Sequence, residues 1–298
     1  MGTRRHLLTR AGWSAAAVGA VASLGFGNAK AASGLDPLLN LGFQPNNPPS
    51  GGSDYDILNF ALNLEYLEAE FYLRALTGVG LSAADTSGVG TKGTVTGGAA
   101  VPFTTAAMAQ YAAEIAADEQ AHVRFLRAAL GGLAVAEPTI DLSRSFTTAA
   151  VAAGLIPAGG TFNPFADETS FLLGAYLFED VGVTAYHGAA TLIQSKTYLD
   201  AAAGILATEA YHAATVRTLL LQMGQAPATA AISALRAAAS GVADDQGVTL
   251  GGVTNISLGD GNAIAYDRST AQVLNIVYLG GASGGYGFFP NGLNGAIA

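Results

Sequence analysis

Two Glu-x-x-His pairs, Glu119-Gln120-Ala121-His122 and Glu209-Ala210-Tyr211-His212, lie in the middle of Ala-rich stretches of helical character. Residues three apart share one face of a helix, so each pair aims one carboxylate and one imidazole at a common point. Such donors suit iron, manganese or zinc. The sequence contains no cysteine, which excludes disulfides, iron–sulfur clusters and thiolate zinc sites. A metal in this chain must be held by oxygen and imidazole.

The elements that position these residues are four apolar-striped helices. The first is predicted from a Ser53 or Asp54 cap to about Leu76, with Glu65 on its apolar side seven residues before Tyr72. The second runs from a Thr104 or Thr105 cap to Leu130, where Met108, Ala112, Ile115, Glu119, His122 and Leu126 form one stripe; Asp118 and Arg124 fall on other faces. A third, Ala166 to Gln194, carries Glu179 seven residues before Tyr186. The fourth, Lys196 to Met223, places Glu209 and His212 in the stripe of Ile205, Val216 and Leu220. The order along the chain is therefore Glu, Glu-x-x-His, Glu, Glu-x-x-His.

Between these helices the Gly- and Thr-rich residues 77–103 read as a surface insertion, with a short hairpin around Thr91, Thr94, Val95 and Thr96. Residues 131–165, with Pro138, Pro157 and Pro164, read as a long crossover. Residues 225–298 form an extension: a short helix over Ala228 to Ala239, then short strands or an extended tail at 248–250, 255–258 and 273–278. No Lys or helix start follows the Gly-rich end, so it is not a phosphate loop, and packing or subunit contact is its expected role.

The ligand order resembles that of ferritin-like di-iron and di-manganese carboxylate proteins, in which two helices give one Glu each and two give Glu-x-x-His. More closely, Leu62-Asn63-Leu64-Glu65-Tyr66-Leu67-Glu68-Ala69-Glu70-Phe71-Tyr72 and Gly287-Phe288-Phe289-Pro290-Asn291-Gly292 resemble exported ferritin-like proteins related to the desiccation-related proteins of plants. The resemblance implies an all-α, ferritin-like four-helix bundle over 53–224 with a long crossover, plus a small Gly-rich C-terminal extension with short strands. It also implies two iron or manganese ions, with zinc as a substitute, held by Glu65, Glu119, His122, Glu179, Glu209 and His212. Four buried carboxylates without cations would repel one another, whereas two divalent ions make the site neutral.

Several neighbours have more than one reading. Glu68, one turn after Glu65, is either the reserve ligand or a group supporting one, and Glu70 is expected in solvent. Tyr72 and Tyr186 either donate hydrogen bonds to ligand carboxylates, relay electrons, or simply pack. Asp180 falls off the stripe. His187 is either close to the ligands or an ordinary helix-surface histidine.

The formal charge is −9, and residues 1–31 hold four basic residues (Arg4, Arg5, Arg10, Lys30) and no acid. Without them, 9 basic residues face 22 acidic ones. Such an acidic chain is a poor nucleic-acid binder. The basic start, the apolar run Ala11 to Phe26 and Asn28-Ala29-Lys30-Ala31-Ala32 read as a signal peptide cleaved after Ala31, or as an uncleaved anchor, with adjacent arginines resembling a twin-arginine signal. Export to the periplasm or extracellular space is expected, without a membrane span after cleavage, and residues 32–52 read as a Pro-rich linker. Two functions compete: a redox enzyme with ferroxidase or catalase-like chemistry on oxygen or peroxide, and a non-catalytic protective or structural binding protein serving stress tolerance. Metal ions are the expected partners, a homo-oligomer is expected to be a dimer, and a storage cage is disfavoured by the extra segments its shell would have to accommodate.

Overall fold

In the computed structural model, which describes residues 53–281 and 287–298, Ala- and Leu-rich segments form long helices, and those ending at Thr77, Leu130, Gln222 and Ser240 stop at or just before a Gly. The expected signal and linker at 1–52 lie outside the described residues. In chain order the elements are α1 (Ser53–Thr77), α2 (Ala83–Thr86), β1 (Val95–Thr96), α3 (Ala106–Leu130), β2 (Ile140–Asp141) and α4 (Arg144–Ala152). They continue with α5 (Glu168–Ala190), α6 (Lys196–Gln222), α7 (Ala226–Ser240), β3 (Thr249–Leu250), β4 (Val253–Thr254) and α8 (Thr270–Val277). α1 packs along α3 and α5 along α6, and the two pairs close on each other as a bundle. Among the described residues no helix is long and apolar enough to cross a membrane.

The two helix pairs cap each other. Thr105 makes no side-chain cap for α3; instead Glu168 at the start of α5 accepts from Thr104 N and Thr105 N, each at 2.6 Å. Asp54, at the start of α1, does the converse. Its two carboxylate oxygens accept from Gln194 N and Ser195 N at the entrance to α6, at 2.8 and 2.9 Å. A carboxylate at a helix N-terminus satisfies orphan amides and favours the helix dipole, so these contacts fix the two pairs in register.

The insertion forms no hairpin of its own. β1 pairs in parallel with β2 from the crossover, Val95 opposite Ile140, and Val89 bridges Val135. Glycine allows this: a Cβ on Gly88 would lie 2.3 Å from Ala134 O, and one on Gly93 would lie 2.1 Å from Thr139 N. The insertion's glycines thus mark backbone against backbone.

In the extension, β3 and β4 make a hairpin through Gly251 and Gly252, both at positive φ, the turn that favours Gly-Gly. The strand expected at 273–278 is the helix α8, started by a capping box in which Ser269 and Gln272 bond reciprocally. That box outweighs the β-propensity of Val273, Ile276 and Val277. Residues 255–258 are not a strand. Three fully buried arginines hold the extension down: Arg217 and Arg236 both bond Asp180 Oδ2 at 2.8 Å, Arg236 reaches Asp245, and Arg268 bonds Asp244 and Asp245.

Candidate metal centre

All six expected ligands meet at the middle of the bundle, each buried. α3 contributes Glu119 and His122, α6 contributes Glu209 and His212, α1 Glu65 and α5 Glu179. His122 Nδ1 lies 3.3 Å from Glu65 Oε2, 3.3 Å from Glu119 Oε2 and 3.5 Å from Glu209 Oε1. His212 Nδ1 lies 3.0 Å from Glu119 Oε1 and 3.6 Å from Glu179 Oε2. Two overlapping donor groups result, Glu65, Glu119, His122, Glu209 and Glu119, Glu179, Glu209, His212, each with its donor atoms within 4.8 Å of one another. Glu119 and Glu209 belong to both.

The donor set fits a metal. Buried oxygens normally have a hydrogen-bond partner, yet Glu65 Oε2, Glu119 Oε1, Glu179 Oε2 and both oxygens of Glu209 have none, nor does His212 Nδ1 in hydrogen-bond alignment. The arginines are engaged elsewhere. Among the described residues, the cationic groups within 4 Å of these carboxylates are the two imidazoles. The orphaned atoms converge, which is what a shared cation requires.

Without a cation the cluster must hold protons. Burial, then Glu119 and Glu68, push Glu209 well above the ordinary carboxylate range. Burial raises Glu65 to about 7, with His122 opposing. Burial opposes the charged form of His122, but Glu65 and then Glu119 outweigh it and hold the imidazole well above its usual value.

The tyrosines cross the bundle reciprocally. Tyr72 on α1 donates to Glu179 Oε1 on α5, and Tyr186 on α5 donates to Glu65 Oε1 on α1 at 2.5 Å. Burial, then Glu179 for Tyr72 and Glu65 for Tyr186, push both phenols well above their usual range, so they remain donors. Each leaves the other carboxylate oxygen facing the donor groups.

Other residues depart from expectation. Asp118 is not on an unrelated face: its Oδ2 lies 3.2 Å from His212 Nε2. It flanks the stripe one position before Glu119, on the side that meets α6. Glu70 is buried rather than solvated, accepting from Arg74 Nε at 2.5 Å and Leu81 N at 2.7 Å. Asp180 is off the stripe and buried among arginines. His187 sits half-buried against the extension, with Nδ1 3.2 Å from Tyr266 O. Glu68 is buried but belongs to neither donor group. Gly182 escaped the sequence reading, although a glycine inside an apolar helix was its signal. A Cβ there would lie 2.2 Å from Glu209 Oε2.

A four-helix bundle with Glu and Glu-x-x-His donors projecting inward is the ferritin-like class of carboxylate protein. A family model described as Ferritin-like domain matches residues 53–222. The chain is 31% identical over 270 residues to a ferritin-like catalase of Nesocodon mauritianus, covering 83% of this chain and 85% of the relative. It is 34% identical over 178 residues to a desiccation-related protein of Craterostigma plantagineum, covering 57% of this chain and 54% of the relative. No solved structure matches. The chain belongs to the ferritin-like domain family.

Proposed function

We propose that this is an exported protein whose centre holds two iron or manganese ions and disproportionates hydrogen peroxide. The observation that carries the reading is the pair of donor groups sharing Glu119 and Glu209, rich in orphaned oxygens. The 31% identity to a ferritin-like catalase over most of both chains supports the choice of reaction. Glu65 and His122 would hold one ion and Glu179 and His212 the other, with Glu119 and Glu209 between them. Redox ions held there would relay two electrons from one hydrogen peroxide to a second, so that two hydrogen peroxide molecules would become one dioxygen and two waters.

The chain's own residues prepare the site. Tyr72 and Tyr186 fix the rotation of Glu179 and Glu65 by binding one oxygen of each. Asp118 accepts from His212 Nε2, which leaves Nδ1 directed at the donor groups. The surrounding apolar bundle excludes bulk water and strengthens each of these contacts.

The identity to a desiccation-related protein favours a second reading, a protective scaffold without turnover. One preparation separates the two. Protein exported by its own leader and purified without chelators should carry about two iron or manganese ions per chain, matching the two donor groups. It should evolve oxygen from peroxide and lose both properties in a Glu119→Ala, Glu209→Ala double variant. Metal without oxygen evolution would favour the scaffold; no metal, with the double variant equally stable, would remove the centre.

A further inference from the structure

We infer that a cavity between α1 and α5 receives the small molecule on which the centre acts, and that the C-terminal extension limits it to a neutral molecule of peroxide or dioxygen size. The inference rests on the redox centre proposed above. The cavity measures about 20 Å³. A single water needs roughly 10–15 Å³ of enclosed space, so a molecule of water size or somewhat larger fits.

The cavity reaches the centre at Glu68 and Gly182, both of which line it. A Cβ on Gly182 would lie 2.2 Å from Glu209 Oε2 and 3.5 Å from Glu68 Oε1. Both carboxyl groups therefore lie over this glycine, whose missing side chain lets the Glu209 carboxylate come down beside the inner end of the cavity. Glu68 makes no hydrogen bond or ion pair among the described residues, unlike Glu70 two positions on, and its side chain faces the cavity. None of the lining residues comes from α3 or α6, which carry the histidines.

The remaining walls are apolar. Leu67 from α1 and Leu177 and Val181 from α5 form the sides, while Ile276 and Val277 of α8 and Phe288 close the cavity from the extension. All three closing residues are themselves buried. An ion would lose its hydration against such walls at far greater cost than a neutral molecule, and the one ionisable lining group, Glu68, offers an anion nothing in return. The centre thus has two unlike sides: a polar one, where the Asp118 side chain is 41% exposed, and an apolar one at Glu68. The extension supplies the size limit of the second.

Xenon tests the cavity without reference to metal. In crystals of the full chain under xenon pressure, a xenon atom should appear between Leu177 and Val277, and Val277→Phe should remove it. Val277→Met serves if the larger side chain prevents folding. In metal-loaded protein, the same substitution should slow peroxide consumption by at least about tenfold with metal content unchanged. Ile276→Ala should raise the rate with tert-butyl hydroperoxide relative to hydrogen peroxide. An absent xenon site, or unchanged rates with the cavity filled, would overturn the inference. If the wild type consumes no peroxide, the proposed reaction fails, and the pocket is judged by xenon alone: occupancy supports it and its absence overturns it.

Discussion

Asp118 and Glu119, successive residues of α3, flank the two nitrogens of one imidazole: His212 Nε2 is hydrogen-bonded to Asp118 Oδ2 at 3.2 Å, and Nδ1 faces Glu119 Oε1 at 3.0 Å without hydrogen-bond alignment. The His212 ring is oriented from another helix rather than by its own. A carboxylate on the outer nitrogen fixes the tautomer and raises the basicity of the inner one. Asp118→Ala should therefore weaken metal binding about 10–100-fold, read by competition with a chromogenic chelator. Unchanged affinity would reduce Asp118 to a surface ion pair.

Gly182→Ala should separate helix stability from metal binding. Alanine in a helix interior is favoured over glycine by roughly 1 kcal/mol, so α5 itself gains. The added methyl would lie 2.2 Å from Glu209 Oε2 and must displace that shared carboxylate. Metal per chain should fall while metal-free thermal stability holds or rises. Gly204→Ala is the control, because nothing lies within 4 Å of a Cβ there. Full metal occupancy in Gly182→Ala would mean that Glu209 is not needed where it stands.

The inward placement of the six donor residues was legible because helical periodicity fixes the face of a residue from its number alone. Glu65 and Glu119 could be placed inward before any contact was known. Asp118 and Glu70 were misplaced because periodicity does not say where the neighbouring helix begins: Asp118 meets His212, and Glu70 meets Arg74 and the insertion. The β1–β2 pairing joins residues far apart in sequence, which local propensity does not reveal. The sequence 269–278 contained a capping box, but its β-branched residues read more strongly as strand. Propensity lost there to the cap.

Stability should fall as the solution turns alkaline, partly through Glu137. Burial, then Glu70, raise its pKa from 4.5 to about 8, and Lys92, 4.0 Å away, only partly opposes them. Between those values the folded chain binds the proton that the unfolded chain has lost, so stability drops with rising pH across that window. The contribution is complete below 4.5 and gone above about 8. Glu137→Gln keeps the shape of the neutral form and removes the titration. Melting curves of wild type and variant should diverge from pH 5 to pH 9, with the variant flatter. Parallel curves would place the titration elsewhere.

Neighbouring acids on α5 point to different partners, and one substitution should separate their roles. Glu179 faces the donor groups with an orphaned oxygen, while Asp180 accepts from two buried arginines, Arg217 and Arg236. Arg236 also reaches Asp245, so it ties α5 to the extension through α7. Removing one partner of a buried charge network typically costs roughly 3–5 kcal/mol, because the partner charge stays in a low-dielectric interior. Arg236→Met should lower the melting temperature sharply. Asp180 retains Arg217, and the donor atoms of Glu179 touch neither arginine, so metal per chain measured in the cold should stay at the wild-type level. Metal lost in proportion to stability would mean that the network and the centre form one cooperative unit.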